Sequence, residues 1–124
     1  MLVFFARAYF EFLRMEIALG KNDFARIHKL VRSTGVSSVL HDAVVLSRLL
    51  RAVDLASVFY PKEVKCLQRA SATTRLLRGF GFPAKMAIGV QFTPFRSHAW
   101  VEINDSVVND KPDLPQTYTV LERC

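Results

Sequence analysis

Ser97-His98-Ala99-Trp100-Val101-Glu102-Ile103 alternates without a break. In an extended chain Ala99, Val101 and Ile103 point to one side, and His98, Trp100 and Glu102 to the other. A period of two marks a strand with one face in a core. Upstream, Lys85 to Phe92 reads as a partner strand with Met86, Ile88, Val90 and Phe92 on one face, and Thr93-Pro94-Phe95-Arg96 turns the chain. Downstream, the polar Asn104-Asp105-Ser106 leads into a third strand, Val107-Val108-Asn109-Asp110. Pro112 and Pro115 close that strand off, and Tyr118 to Leu121 reads as a short final one.

Ahead of this sheet the period changes to that of helices. On a helical wheel Cys66, Ala70, Thr73, Leu77 and Phe80 share one arc, with Gln68, Ser71, Arg75 and Arg78 on the other side. That reading turns Cys66 to the interior near the start of a helix that Gly79 and Gly81-Phe82-Pro83 terminate. Further back, residues 3 to 19 fit a helix with Phe5, Ala8, Tyr9, Phe12, Ile17 and Leu19 on its apolar stripe. Gly20 ends it, and Asn22-Asp23 can cap a second helix from Phe24 to about Arg32. Leu40, Val44, Val45, Leu49, Val53 and Ala56 recur at helical spacing between Ser38 and Phe59, and Pro61 stops that third helix.

The chain is thus expected to be α+β and a single domain over residues 1–124, with a helical part to about residue 60 and a catalytic-type helix with an antiparallel sheet from 61. At 124 residues, with 51% hydrophobic and 23% charged, it is long and apolar enough to fold without disulfides or metal. Its two cysteines, Cys66 and Cys124, suit a reduced cytoplasmic protein better than a disulfide scaffold. Arg7, Glu11, Arg14 and Glu16 interrupt the apolar N-terminus before an export signal or membrane span forms. His28 and His41 have no carboxylate or cysteine at ligand spacing, so neither a metal nor another cofactor is expected.

The formal charge is +6, and between Val64 and Val101 lie Lys65, Arg69, Arg75, Arg78, Lys85 and Arg96 without an acidic residue. These charges either set up a positive field around Cys66, which favours a thiolate or an acidic peptide, or are ordinary solvated helix and loop charges. Nucleic acid is not expected, since no binding motif or aromatic-basic repeat accompanies the charge.

Cys66, His98 and Asp110 stand in the order of a nucleophile, its base and the group that orients the base. A cysteine in the first turn of a helix has backbone donors and the helix dipole to stabilise a thiolate. Parity tests the other two. A two-residue turn at Asn104-Asp105 would put His98 and Asp110 on opposite faces, whereas a three-residue loop or a bulge would put them on the same one. The triad therefore predicts an odd-length turn or a bulge.

Cys66-Leu67-Gln68-Arg69-Ala70, Leu76-Leu77-Arg78-Gly79-Phe80-Gly81, Ile88-Gly89-Val90 and His98-Ala99-Trp100-Val101-Glu102, followed by Asp110, resemble the transglutaminase-like leader peptidase of lasso peptide biosynthesis. That peptidase is the C-terminal half of the B protein, or a separate small protein where the B protein is split. The resemblance implies a transglutaminase-like, papain-like fold, with Cys66 as nucleophile, His98 as general base and acid, and Asp110 as orienter. It implies removal of the leader from a ribosomally made precursor, before an ATP-dependent cyclase forms the macrolactam. It also implies a separate PqqD-like protein that brings the leader, docked on apolar surface of the N-terminal helices. The N–H of Cys66 is a natural oxyanion donor, but Tyr60 to Lys65 holds no glutamine to supply a second. An acyltransferase or transglutaminase on the same triad, and a non-catalytic docking module, are the competing classes.

Overall fold

The computed structural model describes residues 2–20, 24–38, 42–92 and 94–124. The proposed Asn22-Asp23 cap, Leu40, His41 and Thr93 lie outside the described residues. Four helices, α1 (Leu2–Gly20), α2 (Phe24–Ser33), α3 (Ala43–Phe59) and α4 (Cys66–Gly79), precede strands β1 (Ala84–Phe92), β2 (Phe95–Ile103) and β3 (Ser106–Val107). A one-turn helix α5 (Leu114–Thr117) and strand β4 (Thr119–Arg123) complete the chain. The sheet runs β3-β2-β1-β4 with every pair antiparallel, and the α+β class is as expected.

Local chemistry explains the helix boundaries. Asp42 caps α3 by accepting from the Val45 N–H at 3.1 Å, so the helix begins at Ala43 and not at Ser38. It ends at Tyr60, whose ψ of 139° is the extended conformation that Pro61 imposes on the residue before it. α1 buries Ala8, Phe12, Met15 and Ala18, a line of three- and four-residue steps. Ile17 falls off that line and is 60% exposed, against its assignment to the apolar stripe.

α4 differs most from its wheel. It is not amphipathic: Gln68, Ser71 and Arg78 are buried along with Ala70, Thr73 and Leu77. Its small residues let α1, α3 and the sheet close around it, and its polar groups find partners inside. Ser71 and Thr74 donate back to the carbonyls of Leu67 and Ala70, and Gln68 reaches the Phe12 carbonyl at 2.9 Å. Arg78 fastens three segments by donating to the carbonyls of Ala84, Val31 and Thr34. Burial lowers its pKa, and Cys124 offsets part of that.

Ala84, Met86, Ala99 and Val101 carry the helix-facing core together with Ala8, Phe12, Leu49, Val53, Ala70 and Leu77. The opposite face of the sheet holds a smaller cluster of Ala87, Trp100 and Leu114, with Val107, Tyr118 and Val120 packed against it. His98 belongs to that second face.

The expected three-residue loop is not found. Asn104 and Asp105, at φ 50° and 66°, form a two-residue turn that sets Ile103 opposite Ser106. The expected third strand is cut to Ser106–Val107, and the chain then leaves the ladder. Val108 N–H still donates to the Val101 carbonyl at 3.0 Å. The return bond from the Val101 N–H goes to the Asn109 side-chain oxygen at 2.9 Å instead of to a backbone carbonyl. Register holds to Val108 and is abandoned at Asn109, so parity no longer governs Asp110.

Candidate active site

His98 Nε2 and Asp110 Oδ2 lie 2.7 Å apart, and Asp110 Oδ1 accepts from the Lys111 N–H at 2.8 Å. The bulge-like exit after Val108 brings the two side chains together, in place of the odd-length turn. Burial alone would raise the Asp110 pKa, but the hydrogen bonds from His98 and the Lys111 N–H, with the charges of His98 and Arg69, leave it lowered. The imidazole is thereby oriented through Nε2, and Nδ1 has no partner among the described residues.

The ring is also held by its faces. It stacks on Trp100 at 6.1 Å between centroids and 27° between planes, with Tyr118 5.8 Å away on the same sheet face. Trp100 is fully buried, and its Nε1 donates to Glu102 Oε2 at 2.8 Å while Arg123 Nε donates to Oε1. Gly89 pairs with His98 in the register. A Cβ there would come within 2.8 Å of the Trp100 ring and 2.9 Å of Tyr118, so the glycine leaves the space that the indole fills.

Cys66 is the first residue of α4. It is exposed, a correction to its expected inward orientation, because the wheel describes a helix body and not its open end. The first helical bond runs from the Arg69 N–H to the Lys65 carbonyl at 2.9 Å, so the N–H groups of Cys66, Leu67 and Gln68 have no acceptor within the helix. The structure brings His98 and Asp110 into one hydrogen bond and does not join Cys66 to them by another, among the described residues.

α4 packs on the sheet face that carries Ala99 and Val101, whereas His98 shares the other face with Trp100. Arg69, one turn along from Cys66, is close enough to Asp110 for its charge to act on that carboxylate.

Two of the six basic residues behind the expected positive field are paired with acids. Arg69 pairs with Asp54 and Arg75 with Glu11 at 3.0 Å, while Arg78 keeps its charge among carbonyl acceptors. These acids sit in α1 and α3, far from the cysteine in sequence, and a scan of local charge cannot see them. Cys124 is half-buried, and its thiol pKa is pushed up by burial and then by Glu122, which makes it a poor nucleophile. His28 lies 2.6 Å from Glu122, in keeping with a structural part. No group of residues suited to hold a metal occurs among the described residues. Trp100, which from its shared face with His98 could line a substrate groove or fill the core, is core, while Gly89 beneath it and Tyr118 beside His98 were not assigned a part in the site from sequence.

The family model of the transglutaminase-like superfamily matches residues 11–123. The chain is 38% identical over 56 residues to the microcin J25-processing protein McjB of Escherichia coli, a stretch that covers 45% of this chain and 27% of that protein. The match therefore spans about a quarter of that relative's length. No solved structure matches.

Proposed function

The chain belongs to the transglutaminase-like superfamily, and from that premise we propose that it is a cysteine peptidase acting on a ribosomally made lasso peptide precursor, whose leader it removes. The observation that carries this reading is the 2.7 Å contact between His98 Nε2 and Asp110 Oδ2, with Nδ1 left open, in a chain whose α4 starts on an exposed cysteine. The similarity to a microcin-processing protein supports the substrate class.

In this mechanism His98 takes the Cys66 proton and the thiolate attacks the scissile carbonyl. The N–H groups at the start of α4 receive the developing oxyanion. The C–N bond breaks, the amine leaves with the proton from His98, and a thioester joins the leader to Cys66. Water, deprotonated by His98, then releases the leader and regenerates the thiol. Asp110 holds the ring in position and stabilises the imidazolium throughout.

Residues 1–124 serve as a single domain in this proposal, since residues of both halves share one core. Among the described residues no helix is long and apolar enough to cross a membrane, and a cytoplasmic site of action is proposed. A small PqqD-like protein presents the leader, and the freed amine passes to an ATP-dependent cyclase. Val3, Phe10, Leu13 and Ile17, 66%, 59%, 41% and 60% exposed, form an apolar stripe on α1 that supports docking of the leader-binding partner. Deleting α1 would remove core residues, so Phe10→Glu with Ile17→Lys is the cleaner probe: partner binding falls while cleavage of a minimal junction peptide persists.

The decisive experiment incubates the chain with precursor and leader-binding protein and reads the products by mass. Cleavage by the parent and none by Cys66→Ala is expected. Equal maturation by both would leave a docking module, and amide formation with an added amine in place of cleavage would make it an acyltransferase.

A further inference from the structure

The outer edge of β2 is open where it approaches His98. Met86 and Cys124 exchange backbone bonds at 2.7 and 2.8 Å, so Met86 faces β4, and Ala87 and Gly89 face β2. Their partners Trp100 and His98 spend their backbone groups on β1, which turns the N–H and C=O of Ser97, Ala99 and Val101 outward. Val101 confirms this through its bonds with Val108 and Asn109. Ser97 and Ala99 have no partner on that side among the described residues, because β3 reaches only Ile103 and Glu102. Ala99 is 5% exposed because its side chain packs in the helix-facing core, and Ser97 beside it is exposed.

Natural sheet edges are usually blunted by a charge, a proline or a bulge. This one carries a single charge near His98, the exposed Arg96, and beside it Phe95, which with Phe92 forms a cross-strand pair at 6.4 Å; the rings are 69% and 70% exposed. By alternation both lie on the helix-covered face.

We propose that the edge of β2 at Ser97 and Ala99 binds the substrate peptide as an added antiparallel strand, with an apolar side chain of that peptide lodged against Phe92 and Phe95. The proposal rests on the peptidase reading for the identity of the peptide. An extended chain on this edge passes beside the strand residue His98, whose ring is held by Asp110. Main-chain bonds supply affinity without fixing sequence, and the two rings supply the selectivity.

The test uses Cys66→Ala protein and a fluorescent peptide spanning the leader–core junction of a lasso peptide precursor. N-methylation, one amide at a time, is expected to weaken binding about tenfold at alternate residues and to leave the intervening ones unaffected. Ser97→Pro, which removes an outward N–H that β1 does not use, is expected to weaken binding about as much, with its melting temperature preserved. A flat N-methyl series overturns the proposal, and the series decides by itself if Ser97→Pro fails to fold. Sedimentation showing that this edge instead pairs two copies of the chain, with peptide affinity unchanged in Ser97→Pro, also overturns it. Cleavage by the parent with a flat series sinks the edge alone. An alternating series without cleavage supports the edge and sinks the peptidase reading.

Discussion

Gly89 sits opposite His98 on the neighbouring strand, directly beneath the indole of Trp100. The imidazole, the indole and the missing side chain form one stack, so the absence of a Cβ is a structural element of the site. Gly89→Ala is expected to cost about 1–3 kcal/mol through overpacking against Trp100 and Tyr118. Thermal denaturation measures that cost, and a fall in kcat larger than the loss of folded protein shows that His98 has shifted with Trp100.

Asp110→Asn retains a carbonyl oxygen to face the imidazole but no charge. The expected result is a fall in kcat of roughly a hundredfold to ten-thousandfold with KM little changed, because the orientation of the ring and the stability of the imidazolium both suffer. Alkylation of Cys66 by iodoacetamide across a pH series should show a smaller thiolate fraction at neutral pH.

Glu102 is 3% exposed and accepts from both Trp100 and Arg123. Burial would raise its pKa, but those two hydrogen bonds and the charges of Arg123 and Lys85 leave it below its ordinary 4.5. A depressed folded-state value means that its stabilising contribution is complete above that ordinary value and is lost as pH falls through the folded one. Urea unfolding should therefore show stability declining below about pH 4.5. Glu102→Gln should lower stability at pH 7 and flatten that decline.

Arg78→Met should be among the most damaging changes away from the site. It leaves the carbonyls of Ala84, Val31 and Thr34 without their donor, at an expected cost of about 3 kcal/mol. Arg78→Lys should recover part of the loss, since one ammonium cannot span all three acceptors.

Alternation and helical spacing revealed what depends on neighbours in sequence: the four long helices, the β1–β2 hairpin and the face shared by His98 and Trp100. Cys66 at a helix start was legible because Pro61 and the following polar run fix where that helix can begin. Its exposure was not, because burial around α4 depends on α1 and α3 packing over Ala, Ser and Thr positions that a wheel scores as polar or neutral. The salt bridges of Arg69 and Arg75 were hidden for the same reason. α5 is a single turn that follows Asp113 and contains Pro115, too short to carry a period. The pairing of His98 with Asp110 agreed with expectation while the turn did not, since a side-chain acceptor on Asn109 ended the ladder in a way that parity does not consider.

That substitution of an amide for a backbone carbonyl has a consequence for how sequences of this kind can drift. The separation of His98 and Asp110 is set where the chain peels from Val101, and the tip at Asn104-Asp105 lies on the far side of that junction. Insertions at the tip are buffered as long as Ser106 to Val108 can re-pair, whereas a single-residue deletion between Val108 and Asp110 has no such slack. Length variation should be tolerated in the first place and purged from the second, and Asn109 is the hinge pin between the two.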